Sequence, residues 1–302
     1  MIVTVTPNTA LDVTYTLERL VPDVAHRAHR VDRRAGGKGV NVARVLHTLG
    51  ARTCAIGTAG GPDGTLIRAD LRAAGISHLL LDTRSNSRRT TTILATADET
   101  VTLVSEPGAE LSTVEWKAIE GAVRRLVSQA TVLVCSGSLP PGVPADAYAR
   151  LIDIAGALPT ILDASGEALA AGLDARPTVV KPNAAELVEV TGQPDPLAAA
   201  EALRAEGAGA VLVSLGAEGI LAATPQGAWH ARPSRPLTGN ATGAGDAAVA
   251  GIALELAAGS AWPEVLRRAV ALSSAAVLGP LAGDFDIDHY RRELDAVLIE
   301  EV

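Results

Sequence analysis

Aromatic side chains are nearly missing from this 302-residue chain, where three Trp, three Tyr and one Phe amount to 2%. A surface that reads nucleic-acid bases by stacking has almost nothing to stack with. The core must therefore be built from Ala, Val, Leu and Ile. Cysteine is limited to Cys54 and Cys135, both inside apolar runs; a disulfide scaffold is excluded, and both read as small core residues in a reducing compartment. No excess of positive charge exists: 26 Lys+Arg against 34 Asp+Glu leave a net charge of −8. That balance argues against nucleic acid or an anionic membrane as the main partner, but not against a small phosphorylated ligand. Long apolar runs are absent as well. The most apolar helical stretch, Ala247 to Ala258, is interrupted by Glu255 and falls short of the roughly 20 residues a membrane span needs. The N-terminus, Met1 to Thr6, alternates like a strand and carries no signal-peptide pattern. The expectation is a soluble, cytoplasmic protein.

What is present is ample core material, 48% hydrophobic against 20% charged residues, in a length that suits one large domain. Short apolar runs at Arg52–Ile56, Leu79–Leu81, Thr131–Cys135, Thr160–Leu162, Thr178–Val180 and Ala210–Ser214 alternate with amphipathic helical stretches. Buried parallel strands covered by helices on both faces look like this. The fold class predicted is α/β, a doubly wound, mostly parallel sheet flanked by helices. Two Thr- and Val-rich stretches break the rhythm, Leu11–Thr16 with Ala25–Asp32 and Arg89–Thr96 with Val101–Val104, the second a hairpin turning at Ala97–Thr100. They predict a small β-sheet formed by about 11–33 and 88–105 and serving as a lid that keeps water from a cleft.

Gly243-Ala244-Gly245-Asp246 opens a helix running to about Ala258. Such a glycine turn aims backbone N–H groups and the positive end of the helix dipole at one spot, an anion hole. Asp246 at its mouth reads either as a helix cap or as the base that takes a proton from a hydroxyl while phosphoryl enters the hole. A second glycine cluster, Gly36-Gly37-Lys38-Gly39-Val40-Asn41, also opens a helix. It fails the P-loop pattern because Gly39, not Ser or Thr, follows Lys38, and no G-x-G-x-x-G dinucleotide fingerprint follows any core strand. An NAD-dependent dehydrogenase is thereby disfavoured. Lysine is scarce, with Lys38, Lys117 and Lys181 among the 26 basic residues; two of the three stand in glycine- or proline-marked turns, where an ammonium differs chemically from a guanidinium. Lys181-Pro182-Asn183 ends a strand, and Asn183 with Glu186 reads either as a capping box or as oxygen donors for a hydrated Mg²⁺; taken alone, the cap is the simpler reading. Loops after core strands, Ser136–Gly142 and Ser214–Gly219, would converge with these turns on one crevice.

Together these segments resemble the ribokinase-type sugar kinases of the PfkB family, essentially end to end. Gly36–Ala43 matches the family's N-terminal signature and Thr242–Asp246 its C-terminal one. Asn8–Asp12, Ser136–Pro140, Asp163–Leu169 and Lys181–Asn183 point to the hexose-phosphate branch, which holds 1-phosphofructokinase, tagatose-6-phosphate kinase and a 6-phosphofructokinase. The resemblance implies an ATP- and Mg²⁺-dependent kinase adding a second phosphate to fructose 1-phosphate or tagatose 6-phosphate, with fructose 6-phosphate as the alternative acceptor. A non-catalytic sugar-phosphate-binding regulator on the same fold is the alternative of another class. It implies Asp246 as base, with Gly243, Ala244 and Gly245 lining the anion hole. Asp12, Gly37, Lys38 and Asn41 would hold the sugar, and Arg88 its phosphate, with Arg27, Lys38 or Ser138 beside it. Lys181, Asn183, Ser214, Gly216 and Gly219 would serve ATP, Glu186 and Asn183 a water-bridged Mg²⁺, and the Ser274–Gly283 region a monovalent cation such as K⁺. A homodimer through the lid sheet is implied as well. The chain departs from the family at Thr9, where Pro is usual, and at Thr242 and Ala247-Ala248 around the base, which bears on acceptor preference.

Overall fold

The first strand, β1 (Ile2–Thr6), buries every side chain. Ile2 enters one apolar cluster while Val3 and Val5 enter the opposite one, as a strand covered on both faces must. The computed structural model describes residues 1–302 and adds thirteen more strands in chain order. They are β2 (Ala10–Leu17), β3 (Arg30–Gly36), β4 (Thr53–Ala59), β5 (His78–Asp82), β6 (Arg88–Ala95), β7 (Thr100–Ser105) and β8 (Val132–Ser136). There follow β9 (Thr160–Asp163), β10 (Val179–Val180), β11 (Ala210–Ser214), β12 (Ile220–Thr224), β13 (Gly227–Arg232) and β14 (Leu298–Glu301).

Ten of them form one sheet in the order β14-β13-β12-β11-β10-β9-β8-β1-β4-β5. From β11 to β5 every pairing is parallel, so the expected mostly parallel α/β sheet is what forms. The edge beyond β11 is antiparallel, closed by the C-terminal β14 on β13; the sequence reading did not anticipate it. β1 has β4 on one side and β8 on the other, so the chain order reverses there. A reversal of this kind opens a crevice at the carboxyl ends of the two strands.

The remaining strands make a separate sheet in the order β3-β2-β6-β7. Its first hairpin differs from expectation: β3 begins at Arg30 rather than Ala25 and runs to Gly36, delivering the chain directly into the glycine cluster. Val101, Leu103 and Val104 of β7 stay exposed.

Small residues replace aromatics in the core. The helices Ala244–Ala258 and Trp262–Val277 approach so closely that a Cβ on Gly251 would lie 3.0 Å from the Ala269 Cα. Ala247, Ala250, Ala253, Ala269 and Ala275 fill that contact without exposure, at the density an interior requires.

Candidate active site

The crevice beyond β1 and β8 is bridged by Asn8, whose Nδ2 donates to Ser138 Oγ and to the Pro107 carbonyl, both at 3.0 Å. Below it lie two adjoining recesses. One, of about 710 Å³, is lined almost wholly by polar side chains and glycines, among them Asp12, Lys38, Asn41, Arg88 and Asp246. The other, of about 810 Å³, is lined by apolar groups such as Leu237, Val270 and Val277 together with loop backbone. Asn183, Ser214, Asn240 and Gly245 face both. The tip of the β6–β7 hairpin, Leu94–Thr96 and Glu99–Val101, overhangs the apolar recess.

Asp246 sits in the first turn of the helix Ala244–Ala258, next to the junction of the recesses, and is 6% exposed. Gly243 precedes it at φ 86°, and a Cβ there would fall 3.0 Å from the Ala282 Cα, so only glycine fits this turn without strain. The Ala244 N–H donates to the Ala241 carbonyl at 3.1 Å, while those of Gly243, Gly245 and Asp246 have no acceptor within the protein. Three N–H groups of the turn are therefore free, and that of Ala244 is engaged. Asn41 Nδ2 donates to Asp246 Oδ2 at 2.8 Å. Burial first, and then the charge of Asp163, push Asp246 up to about 7 against the pull of Asn41, Lys38 and Lys181. A carboxylate so placed exchanges protons near neutrality.

Lys38 and Lys181 converge on one residue the sequence reading gave no role, Asp163. Its Oδ1 lies 3.1 Å from Lys38 Nζ and 3.6 Å from Lys181 Nζ, and Ser136 Oγ donates to its Oδ2 at 3.1 Å. Burial alone would raise Asp163, yet Lys181, Lys38 and Ser136 outweigh it and hold the carboxyl below the usual range. The same pairing raises Lys38 above the usual lysine range. Lys181 Nζ lies 3.5 Å from where a Gly245 Cβ would be, beside the turn with the free N–H groups. Asp163 stands at the carboxyl end of a core strand, the position that flagged the other loops; that rule was the signal available for it.

On the small sheet, Arg88 Nε donates to the Asn8 carbonyl at 3.0 Å and Nη1 to the Glu106 carbonyl at 3.2 Å, leaving Nη2 without a protein acceptor. Asp12 opposes it, pushed up to about 6 by burial against the pull of Arg88 and of Thr90. Gly36 lies against Asp12 so tightly that a Cβ would strike the carboxylate, 1.9 Å from Oδ2. Gly37, Ser138 and Asn41 line the same recess. Arg27 does not; it stands exposed on the β2–β3 connection, outside both recesses.

Asn183 and Glu186 form the capping box. Asn183 Oδ1 accepts from Glu186 N at 2.9 Å, and Glu186 Oε2 accepts from Asn183 N at 2.8 Å. One lone pair of the Asn183 oxygen thus serves the helix, leaving its other lone pair and Glu186 Oε1, which lies 3.8 Å from Lys38 Nζ. Ser214, Gly216 and Gly219 line the apolar recess, where Gly219 (φ 85°) packs its Cα against the Ala231 carbonyl. Ser274 also reaches it, but its Oγ is spent on the Ala271 carbonyl and His289. No cluster of three or more His, Cys, Asp or Glu residues is arranged to hold a metal, and no helix is long and apolar enough to cross a membrane.

Residues 4–288 match the pattern of the pfkB family carbohydrate kinases. The chain is 38% identical over 270 residues to a 1-phosphofructokinase of Xanthomonas campestris pv. campestris, covering 84% of this chain and 83% of that one. Its backbone superimposes on Escherichia coli phosphofructokinase-2 in complex with potassium with a TM-score of 0.91, at 31% identity over 97% of this chain and 98% of that one. The same enzyme in complex with fructose-6-phosphate gives a TM-score of 0.89 at the same identity and coverage.

Proposed function

This chain belongs to the pfkB family of carbohydrate kinases, and we propose that it moves the terminal phosphoryl group of ATP to a free hydroxyl of a ketohexose phosphate. Fructose 1-phosphate is the first acceptor, supported by the 38% identical relative; tagatose 6-phosphate and fructose 6-phosphate are the alternatives within the same chemistry. The observation that carries the reading is Asp246, a proton-exchanging carboxylate between a polar and an apolar recess, with three unpartnered N–H groups beside it.

The sugar occupies the polar recess. Asp12 and Asn41 accept and donate to its hydroxyls, and Arg88, fixed by two carbonyls, offers its free Nη2 to the phosphate already present. The nucleotide occupies the apolar recess among Ser214, Gly216, Gly219 and the helix Trp262–Val277. Asp246 takes the proton of the attacking hydroxyl, and the N–H groups of Gly243, Gly245 and Asp246, with Lys181 alongside, face the charge on the transferring phosphoryl. Mg²⁺ neutralises phosphate charge when bound. The residues fit it only as a hydrated ion: Glu186, whose Oε1 takes no part in the capping box, would hold it through water. A monovalent cation would draw on backbone carbonyls of Ser274–Gly283, where those of Val277, Leu281 and Ala282 are already engaged. The small sheet serves as a lid, and its exposed Val101, Leu103 and Val104 support a homodimer formed through it.

The test is ADP release from ATP with fructose 1-phosphate, fructose 6-phosphate and tagatose 6-phosphate under identical conditions. Asp246→Asn should keep sugar-phosphate binding and lose ~10²–10⁴-fold in turnover, the usual weight of a general base. Near-normal turnover in that variant, or no ADP release by the parent protein with any of the three, overturns the reading. A regulator without turnover finds no support in a site whose base and donors are all in place.

A further inference from the structure

Arg34 lies on β3, in register with Asp12 on β2, but its side chain leaves the small sheet. Nη1 donates to the Ala282 carbonyl at 3.0 Å and pairs with Asp284 Oδ2 at 3.0 Å, with the side chain only 16% exposed. No other side chain of the small sheet hydrogen-bonds to this loop. The loop in turn backs the site on two sides. A Cβ on Gly243 would fall 3.0 Å from Ala282 Cα and 3.1 Å from Gly283 N, so Ala282 and Gly283 support the anion-binding turn directly. On the other side, a Cβ on Gly283 would lie 3.0 Å from Arg44 Cδ and 3.5 Å from Asn41 Cα, and Asn41 is the residue bonded to Asp246.

We propose that Arg34 is a positioning residue for phosphoryl transfer: it ties the sheet that closes on the sugar phosphate to the loop that seats the anion hole and the partner of the base. Arg34 touches neither substrate. Its Nη1 holds the loop through a carbonyl and a carboxylate at once, contacts that the shorter lysine side chain would keep only in part. The inference rests on the reading of Asp246 and the Gly243 turn as the transfer site. A misplacement of about 1 Å in such a site costs on the order of 10²-fold in rate, so a loosened loop is expected to lower kcat while leaving the binding surfaces in place.

The experiment compares full-length Arg34→Ala, Arg34→Lys, Asp284→Ala and the double variant Arg34→Ala/Asp284→Ala by steady-state kinetics, with the melting temperature of each. Sugar-phosphate and ADP dissociation constants are measured without turnover. Arg34→Ala should lower kcat about 10- to 100-fold with both dissociation constants within threefold of the parent. Arg34→Lys should recover part of the loss. Asp284→Ala should lower kcat less, and the double variant should match Arg34→Ala alone, because both substitutions cut one strap. A kcat for Arg34→Ala within twofold of the parent overturns the proposal. So does a loss confined to sugar-phosphate affinity with Asp284→Ala silent, which would assign Arg34 to its neighbour Asp12. If Arg34→Ala does not fold, Asp284→Ala decides: a lowered kcat supports the strap and an unchanged one overturns it. Asp246→Asn run alongside separates the two levels. An active Asp246→Asn removes the transfer site itself, whereas an inactive one with neutral strap variants removes only the role of Arg34.

Discussion

Replacing Asp246 by Asn should make the protein more stable at pH 8 while it removes turnover. Burial, and after it the charge of Asp163, raise this carboxyl from 3.8 to about 7. The folded state therefore holds the proton more tightly than the unfolded chain does. The stabilisation this gives is complete below about pH 4 and is lost as the pH rises through about 7. Above that point the folded protein carries a buried anion at a cost of up to ~4 kcal/mol, taking ~1.4 kcal/mol per tenfold change in proton affinity. Asn is neutral at every pH, has the same shape, and still offers an oxygen to Asn41 Nδ2. Relaxation around the site should reduce the gain to about 1–4 kcal/mol at pH 8.

The signature is in the pH dependence. Between pH 8 and pH 5 the parent protein takes up the proton at Asp246 and Asn does not, so the advantage of the variant should shrink by about 2–3 kcal/mol. Urea unfolding of both proteins at the two pH values reads this directly from the midpoints at a common slope. In the parent enzyme, kcat/KM should fall tenfold per pH unit below about 7, as the base is lost to protonation. An Asn variant equal to or less stable than the parent at pH 8, or an advantage that is the same at both pH values, would refute the claim that this carboxylate is strained by burial.

Two further outcomes follow from the recesses. Arg88→Ala should raise KM for the ketohexose phosphate about 10- to 100-fold, the weight of a charge-assisted hydrogen bond of ~1.5–3 kcal/mol, and change KM for the unphosphorylated sugar little; equal effects on both sugars, measured side by side, would deny it the phosphate. Glu293→Ala should raise KM for ATP about 5- to 20-fold with kcat changed less than threefold. The buried Glu293 carboxylate accepts from Ser234 N at 2.5 Å and Ser234 Oγ at 2.8 Å, pinning the segment whose Pro233, Leu237 and Thr238 wall the apolar recess; unchanged KM in a folded variant would count against that anchoring.

The sequence exposed those parts of the site that depend on local chemistry. The Gly243 turn, the Gly37 turn and the loops at strand ends are legible because glycine, helix start and strand end lie within a few residues of one another. What stayed hidden depends on pairs far apart in the chain. Lys38 meets Asp163 across 125 residues and Arg34 meets Ala282 across 248, and no periodicity encodes such a meeting. Asn183 and Glu186 were ambiguous for a different reason. A capping box and a pair of oxygen ligands need the same residues at the same spacing, and the structure shows the capping box formed. The antiparallel edge β12–β14 escaped because Ile220–Thr224 carries no alternation and β14 is a four-residue strand at the far end of the chain; Pro225-Gln226-Gly227 was the turn signal available for β12 and β13. β3 was displaced because the expected strand took in Ala25–His29, which has no period-2 alternation and lies on the exposed, irregular connection that precedes Arg30.

The scarcity of lysine acquires a physical reason in this site. Arg88 is held by the Asn8 and Glu106 carbonyls, a rigid fork suited to a phosphate that stays where it is throughout the reaction. Lys38 and Lys181 instead share one buried carboxylate, Asp163, and make no hydrogen bond to a backbone carbonyl through Nζ. An ammonium on a four-carbon stem can exchange part of that contact for a phosphoryl oxygen and then return. On the proposed transfer, the charge that must follow the moving group would be carried by the flexible cations, and the charge that must hold the fixed group by the planar one. Asp163 makes this arrangement tolerable before substrates arrive, because the buried Lys181 ammonium and the half-buried Lys38 ammonium beside it would otherwise repel each other, with nothing to offset the desolvation of Lys181. Its cost appears at Asp246, where the same negative charge adds to burial in raising the proton affinity of the base. The feature that stores the two cations thus adds to the burial that brings Asp246 toward neutrality.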